Sequence, residues 1–143
     1  LLSRQYNGGQ IVTTNPRDIL VVDDTADCCE IIRFILESQG CRVRTADCGE
    51  AALAELSLRR PDAMVLDVMM PGMSGLEVLE RVRSMPLVAD LPIILLTARI
   101  SDDDMVCGYQ QGADYYIPKP CTARQLTHGL AIVLGSPDVP QAA

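Results

Sequence analysis

The chain has 143 residues, 48% of them hydrophobic and 22% charged, which is enough for one domain with a real core and excludes wholesale disorder. Acidic residues outnumber basic ones 19 to 12, for a formal charge of -7, and no basic cluster exceeds Arg59-Arg60, so direct nucleic-acid binding is not expected. One Phe, four Tyr and no Trp leave little for base stacking, and no apolar run reaches the ~18 residues that span a bilayer.

Residues 1–17 carry Gly8-Gly9, Asn15-Pro16 and no sustained periodicity. They are expected to form a flexible tail, although Ile11-Val12-Thr13-Thr14 could pair as a short strand. The domain proper is expected over residues 18–135. Ile19-Leu20-Val21-Val22 is a buried-type strand ending in Asp23-Asp24, and residues 27–38 place Cys28, Ile31, Ile32, Ile35 and Leu36 at helical spacing, stopped by Gly40. Residues 42–46 alternate as a half-buried strand. Asp47-x-x-Glu50 is expected to open a second helix, stopping before Pro61.

Residues 63–66 form an apolar run ending in Asp67, and Ser74-x-x-Glu77 reads as the capping box of a third helix. Pro92-Ile93-Ile94-Leu95-Leu96 is a fourth strand, ending in Thr97. Ser101-x-x-Asp104 opens a fourth helix ended by Gly112, in which Asp102-Asp103-Asp104 reads as a favourable acidic first turn. Tyr115-Tyr116-Ile117 is a fifth strand, and Thr122-x-x-Gln125 caps a fifth helix. From about residue 135, Gly135, Ser136, Pro137 and Pro140 suggest a second tail or the start of a linker over residues 136–143.

Five repeats of strand then helix imply an α/β fold: an open, doubly wound, five-stranded parallel sheet with helices on both faces. The flavodoxin-like strand order 2-1-3-4-5 is expected. The apolar runs suit central strands, whereas the patterned second strand and the Pro118-bearing fifth suit edges.

The site of such a sheet lies beyond the carboxyl ends of its strands. There the sequence places Asp23 and Asp24, Asp67, Thr97 and Lys119. Three converging carboxylates repel one another and suffer desolvation, and a hard divalent cation relieves both. A nucleophilic carboxylate, an acidic Mg²⁺ site, a cation and a hydroxyl together suit phosphoryl acceptance. The six cysteines (Cys28, Cys29, Cys41, Cys48, Cys107 and Cys121) contain no C-x-x-C and meet only His128, so reduced thiols used as small apolar residues are expected rather than a zinc site. His128 itself is expected to be a boundary residue of the last helix.

Over residues 18–135 the sequence resembles the receiver domain of two-component response regulators. The resemblance is carried by Ile19-Leu20-Val21-Val22-Asp23-Asp24, by the stretch from Val65-Leu66-Asp67 through Met69-Met70-Pro71 to Ser74-Gly75, by Leu95-Leu96-Thr97-Ala98 and by Lys119-Pro120. It implies that Asp67 is the phosphoacceptor. Mg²⁺, with Mn²⁺ as a substitute, would be held by Asp24, Asp67 and the backbone carbonyl of Met69, and mainly through water by Asp23. Thr97 and Lys119 would contact the phosphoryl oxygens, and the Lys119–Pro120 peptide would be cis. Thr97 and Tyr116 would form the switch, Tyr116 turning into space vacated by Thr97, and Met69 and Arg99 would border the path of the hydrolytic water.

The implied partners are a sensor histidine kinase or histidine phosphotransfer protein, and a downstream protein or fused domain. The face of the fourth helix, fifth strand and fifth helix would be available for a homodimer. Location in the cytoplasm is expected, and the start at Leu1 rather than Met suggests an excised or processed piece. Two residues depart from the common pattern: Pro118, which removes a backbone N–H just before Lys119, and Cys121, which stands where the family often has Phe. Two rivals differ in their residues. A phosphorylation-independent module of this fold would usually lack an acid or the lysine. An aspartate phosphohydrolase would show D-x-D-x-T, whereas Asp67 is followed by Val68-Met69.

Overall fold

The computed structural model describes residues 4–7, 10–13, 16–98 and 112–135. Its elements are strands β1 (Arg4–Asn7), β2 (Gln10–Thr13), β3 (Asp18–Val22), β4 (Arg42–Ala46), β5 (Ala63–Asp67), β6 (Ile93–Thr97) and β7 (Tyr115–Pro118). The helices among the described residues are α1 (Ala26–Ser38), α2 (Gly49–Leu58), α3 (Gly75–Arg83) and α4 (Ala123–Leu134). The predicted helix from Ser101, with its Asp102-Asp103-Asp104 turn, lies outside the described residues.

Strands β3 to β7 form one parallel sheet in the order β4-β3-β5-β6-β7. This is the predicted doubly wound order, with the second and fifth strands of the repeat at the edges. One row of paired residues crosses the whole sheet: Ala46, Val22, Leu66, Leu95 and Tyr116. That register places Asp23 and Asp67 level with each other, one residue beyond the row on adjacent strands.

Alternation along each strand divides the core into two layers. Leu20, Val22, Met64, Leu66, Ile93, Leu95 and Tyr116 pack with Ala52 and Leu56 of α2 and Val78, Leu79 and Val82 of α3. Ile19, Val21, Val65, Ile94, Leu96 and Ile117 pack with Cys29, Ile32 and Leu36 of α1 and Leu126 and Leu130 of α4. Because β3, β5 and β6 are covered on both faces, they are continuous apolar runs, whereas β4 and β7 each expose an end residue.

Local sequence explains most boundaries. Ser74 Oγ accepts from Glu77 N at 3.2 Å to start α3, and Thr122 and Gln125 form a reciprocal capping box at α4. The start of α2 differs from expectation. Cys48, not Asp47, is the N-cap, its sulfur accepting from Ala51 N at 3.4 Å. Packing explains the shift: a Cβ on Gly49 would come within 2.8 Å of Met73 Sδ and 2.9 Å of Val78 Cγ2, so the bare glycine turn is pressed against α3 and its preceding loop.

The N-terminal segment, expected as a tail, contains an antiparallel pair. Strand β1 pairs with β2 from Arg4↔Thr13 to Asn7↔Gln10, on either side of Gly8-Gly9. A glycine pair between two runs is a hairpin signal. The alternative of a short strand over residues 11–14 overlaps β2, whereas the mostly polar Arg4–Asn7 gave no sign of β1.

Arg83, the last residue of α3, ties three segments together. Its guanidinium donates to Ala89 O at 3.1 Å, Leu91 O at 2.6 Å and Gly112 O at 2.9 Å, and pairs with Asp114 Oδ2 at 3.0 Å. Asp114 Oδ2 also accepts from Ile93 N at 2.8 Å, at the start of β6. Replacing Arg83 by Ala removes several charge-assisted bonds from half-buried carbonyls and is expected to destabilise the fold by roughly 2–4 kcal/mol. Urea unfolding checks this; a loss below about 0.5 kcal/mol would assign the cluster to surface decoration.

Candidate functional site

The buried polar or charged side chains among the described residues are Asp23, Asp67 and Thr97. All three stand at the carboxyl ends of neighbouring strands, where the backbone turns away and leaves a crevice. Asp23 is 0% exposed, Asp67 2% and Thr97 2%, while Asp24 is exposed. Ligand oxygens of Asp23, Asp24 and Asp67 lie within 4.8 Å of one another.

Backbone amides orient the carboxylates. Thr25 N donates to Asp23 Oδ1 at 2.9 Å, and Met69 N donates to Asp67 Oδ1 at 3.2 Å. Lys119 reaches in from the loop after β7. Its Nζ lies 2.7 Å from Asp23 Oδ2 and 3.2 Å from Asp67 Oδ2, and its backbone N donates to Thr97 O at 2.8 Å. The Lys119–Pro120 peptide is cis.

Gly75, part of the motif that carries the resemblance, has a structural role at the site that the motif alone does not state. A Cβ at this position would stand 2.8 Å from Asp67 C and from Val68 Cα. Only glycine lets the first turn of α3 lie directly against the Asp67 backbone, and Gly75 N donates to Val68 O at 3.0 Å there. A glycine opening a helix immediately after its Ser74 N-cap was the available signal.

Thr97 and Tyr116 occupy one face of adjacent strands, because Tyr116 pairs with Leu95 and Thr97 lies two residues beyond it. The Tyr116 ring is already buried, at 6% exposure, within the layer that packs on α2 and α3. The Met69 side chain points into solvent at 61% exposure. Arg99 lies outside the described residues.

Burial, and then the neighbouring charge of Asp23, push the Asp67 carboxyl up to about 6, against the opposing pull of Lys119 and the Met69 amide. For Lys119 burial disfavours the charge, yet the hydrogen bond to Asp23 and the charges of both acids hold its pKa above the ordinary value. Lys119 therefore stays cationic, a partial stand-in for the positive charge the acids require. The donors offered to a metal are oxygens from acids, which fit a hard divalent ion such as Mg²⁺ or Mn²⁺ and fit zinc poorly.

The sign of the linkage follows from the raised Asp67 pKa. Folding favours the protonated form, so this contribution to stability is present below the ordinary aspartate pKa and is lost as pH rises through about 6. In EDTA, the Asp67→Asn variant is expected to be more stable than wild type at neutral pH, with the gap closing as pH falls below that value. Urea melts across the acid range test this, and a gap that does not change with pH would contradict it. Added Mg²⁺ should stabilise wild type and leave the variant nearly unmoved.

Residues 19–131 match the family model of the response regulator receiver domain. The chain is 41% identical over 118 residues to the phosphate regulon transcriptional regulatory protein PhoB of Pseudomonas aeruginosa, covering 82% of this chain and 52% of that protein. It is 46% identical over 123 residues to the transcriptional regulatory protein AfsQ1 of Streptomyces coelicolor, covering 83% and 51%. The chain thus spans about half the length of these curated relatives. Among solved structures, the chemotaxis response regulator CheY4 of Vibrio cholerae is similar with a TM-score of 0.80 at 32% identity, covering 84% of this chain and 100% of that one. With this match laid over the sheet order and the acid-lined crevice, the chain belongs to the response regulator receiver domain family.

Proposed function

We propose that Asp67 accepts a phosphoryl group from a phosphohistidine of a sensor histidine kinase or histidine phosphotransfer protein, and that the aspartyl phosphate switches a partner-binding face. The observation that carries this reading is Lys119 Nζ, which lies within 3.2 Å of both Asp67 and the fully buried Asp23. A buried acid beside a second acid and a fixed cation is a nucleophile in a site ready to receive an anion.

Asp67 Oδ attacks phosphorus, and the bond to the donor imidazole nitrogen breaks as the bond to Oδ forms; the leaving imidazole takes up a proton. The Met69 amide orients Asp67, Lys119 donates to one phosphoryl oxygen and Thr97 Oγ1 to another. A bound Mg²⁺, or Mn²⁺, supplies positive charge that offsets the phosphoryl oxygens; Asp24, Asp67, the Met69 carbonyl and, through water, Asp23 would hold it. The domain promotes its own phosphorylation and slow dephosphorylation and turns over no external metabolite.

Tyr116 already occupies the buried position, so phosphorylation is read as stabilising that arrangement with Thr97 rather than creating it. The output is binding: a downstream protein or fused domain, or a second copy through the face of β7, α4 and the helix expected from Ser101. The acidic balance argues against direct nucleic-acid contact by this domain. No helix among the described residues is long and apolar enough to cross a membrane; a location in the cytoplasm is proposed from the signalling role, not from that absence.

Intact mass after incubation with acetyl phosphate and Mg²⁺ tests the acceptor. One phosphoryl adduct is expected, absent in Asp67→Asn and in EDTA; no adduct on the folded chain would favour a phosphorylation-independent binding module. The exposed Met69 side chain offers no group to orient a hydrolytic water, and Arg99 is the other residue assigned to that path. Met69→Asn should shorten the phosphoryl lifetime several-fold, followed by loss of the adduct over time, and a longer lifetime would remove Met69 from this role.

A further inference from the structure

Val68 and Met70 are buried, while Met69 between them is 61% exposed. The backbone fixes that alternation. Val68 N donates to Leu96 O at 2.9 Å, Gly75 N donates to Val68 O at 3.0 Å, and Met69 N donates to Asp67 Oδ1 at 3.2 Å. The Met69 side chain is thus presented to solvent from a backbone that is itself bonded to the Asp67 carboxylate. It belongs to neither core layer, so packing does not account for a large apolar group at this place. The other methionines among the described residues are shielded. Met64 and Met70 are buried, and Met73 and Met85 are half-buried against the layer that packs on α2 and α3. The sulfur of Met73 is pressed toward Gly49, where an added Cβ would stand 2.8 Å from it. Met69 therefore offers the one thioether among them that stands mostly in water, and it does so at the rim of the acidic crevice.

We propose that Met69 is a peroxide-sensitive modification site, and that its oxidation to the sulfoxide sets a water-orienting group beside Asp67 and shortens the life of the aspartyl phosphate. The oxidant is hydrogen peroxide. A sulfur lone pair attacks one peroxide oxygen, and the S–O bond forms as the O–O bond breaks. The proton left on the transferred oxygen passes to the departing hydroxide, giving water. Sulfur is oxidised by two electrons and the peroxide is reduced by two. The change matters because a thioether is only a weak hydrogen-bond acceptor, whereas the sulfoxide is polar and carries an accepting oxygen. Two residues beyond the phosphoacceptor, that oxygen accepts a hydrogen bond from a water and holds it for attack on phosphorus, as a side-chain amide orients water in other phosphoryl hydrolyses. Hydrolysis returns the Asp67 carboxylate and free phosphate, so the oxidised chain loses its signal sooner. This inference rests on the proposed phosphoryl acceptance at Asp67, but the oxidation itself is detected without it.

The test treats the full chain with hydrogen peroxide, returns its thiols with dithiothreitol, and locates the added oxygen by intact mass and peptide fragmentation. Treated and untreated chains are then phosphorylated with acetyl phosphate and Mg²⁺, and decay of the adduct is followed once acetyl phosphate is removed. Oxygen is expected to enter Met69 several-fold faster than Met64, Met70, Met73 or Met85, and the phosphoryl lifetime to fall several-fold. Methionine sulfoxide reductase should restore the original lifetime. Met69→Leu, compared before and after peroxide, should show no change, which separates Met69 from every other oxidised residue. Oxidation of Met69 no faster than that of the buried methionines overturns the proposal. A Met69 sulfoxide with an unchanged or longer phosphoryl lifetime, or a lifetime that falls equally in Met69→Leu, overturns the regulatory half of it. An untreated chain that is never phosphorylated speaks against the acceptor reading instead.

Discussion

Asp23 and Asp67 stand level on adjacent strands with almost no exposure, and a pair of buried like charges is unfavourable unless something opposite is held beside it. Lys119 supplies that charge from the far edge of the sheet, anchored through its own backbone N–H to Thr97 O. The neutralisation is incomplete: one ammonium faces two buried acids with a third, Asp24, at the rim. The site is thereby left with an appetite for cationic charge, and Asp67 with a proton affinity well above that of an ordinary aspartate.

The fold serves this arrangement by holding the strands beneath it in a close-packed core. β3, β5 and β6 are covered on both faces, so the positions at which they end are set by dense apolar packing on two sides. Gly75 brings the start of α3 against the Asp67 backbone, and the Arg83 cluster fastens the other end of α3 to the segments that lead into β6 and β7. Under the proposed phosphorylation, a charge change at Asp67 would act on this packed frame, and a two-state response is the kind of output such packing favours.

Much of this was legible in the sequence, because burial on both faces writes itself as apolar runs and each run ended in a chemically distinctive residue. Sheet order followed from the alternation of strands and helices, and the caps at Ser74 and Thr122 from their partners three residues on. The rest depends on contacts between distant segments. The Cys48 cap is selected by packing of Gly49 on Met73 and Val78. The bridge by Lys119 between two carboxylates arises only once β3, β5 and the loop after β7, distant in sequence, lie close together; the backbone donors at Thr25 and Met69 are local, each two residues beyond the carboxylate it serves. Of the β1–β2 pair, a short strand over residues 11–14 was legible but its partner was not, because the mixed polar residues Arg4–Asn7 carry too little periodicity to register.

Asp67 is a buried acid whose carboxyl is pushed up to about 6 by burial and the neighbouring Asp23, and its proposed role as phosphoacceptor rests on that environment. Carbon-detected NMR titration of protein labelled at the aspartate carboxyls measures this directly. In metal-free protein the Asp67 resonance, assigned with Asp67→Asn, should titrate at about 6 and move to lower pH when Mg²⁺ is added. An Asp67 that titrates as an ordinary exposed aspartate, with a midpoint indifferent to Mg²⁺, would mean that neither burial nor a shared cation site governs this carboxyl.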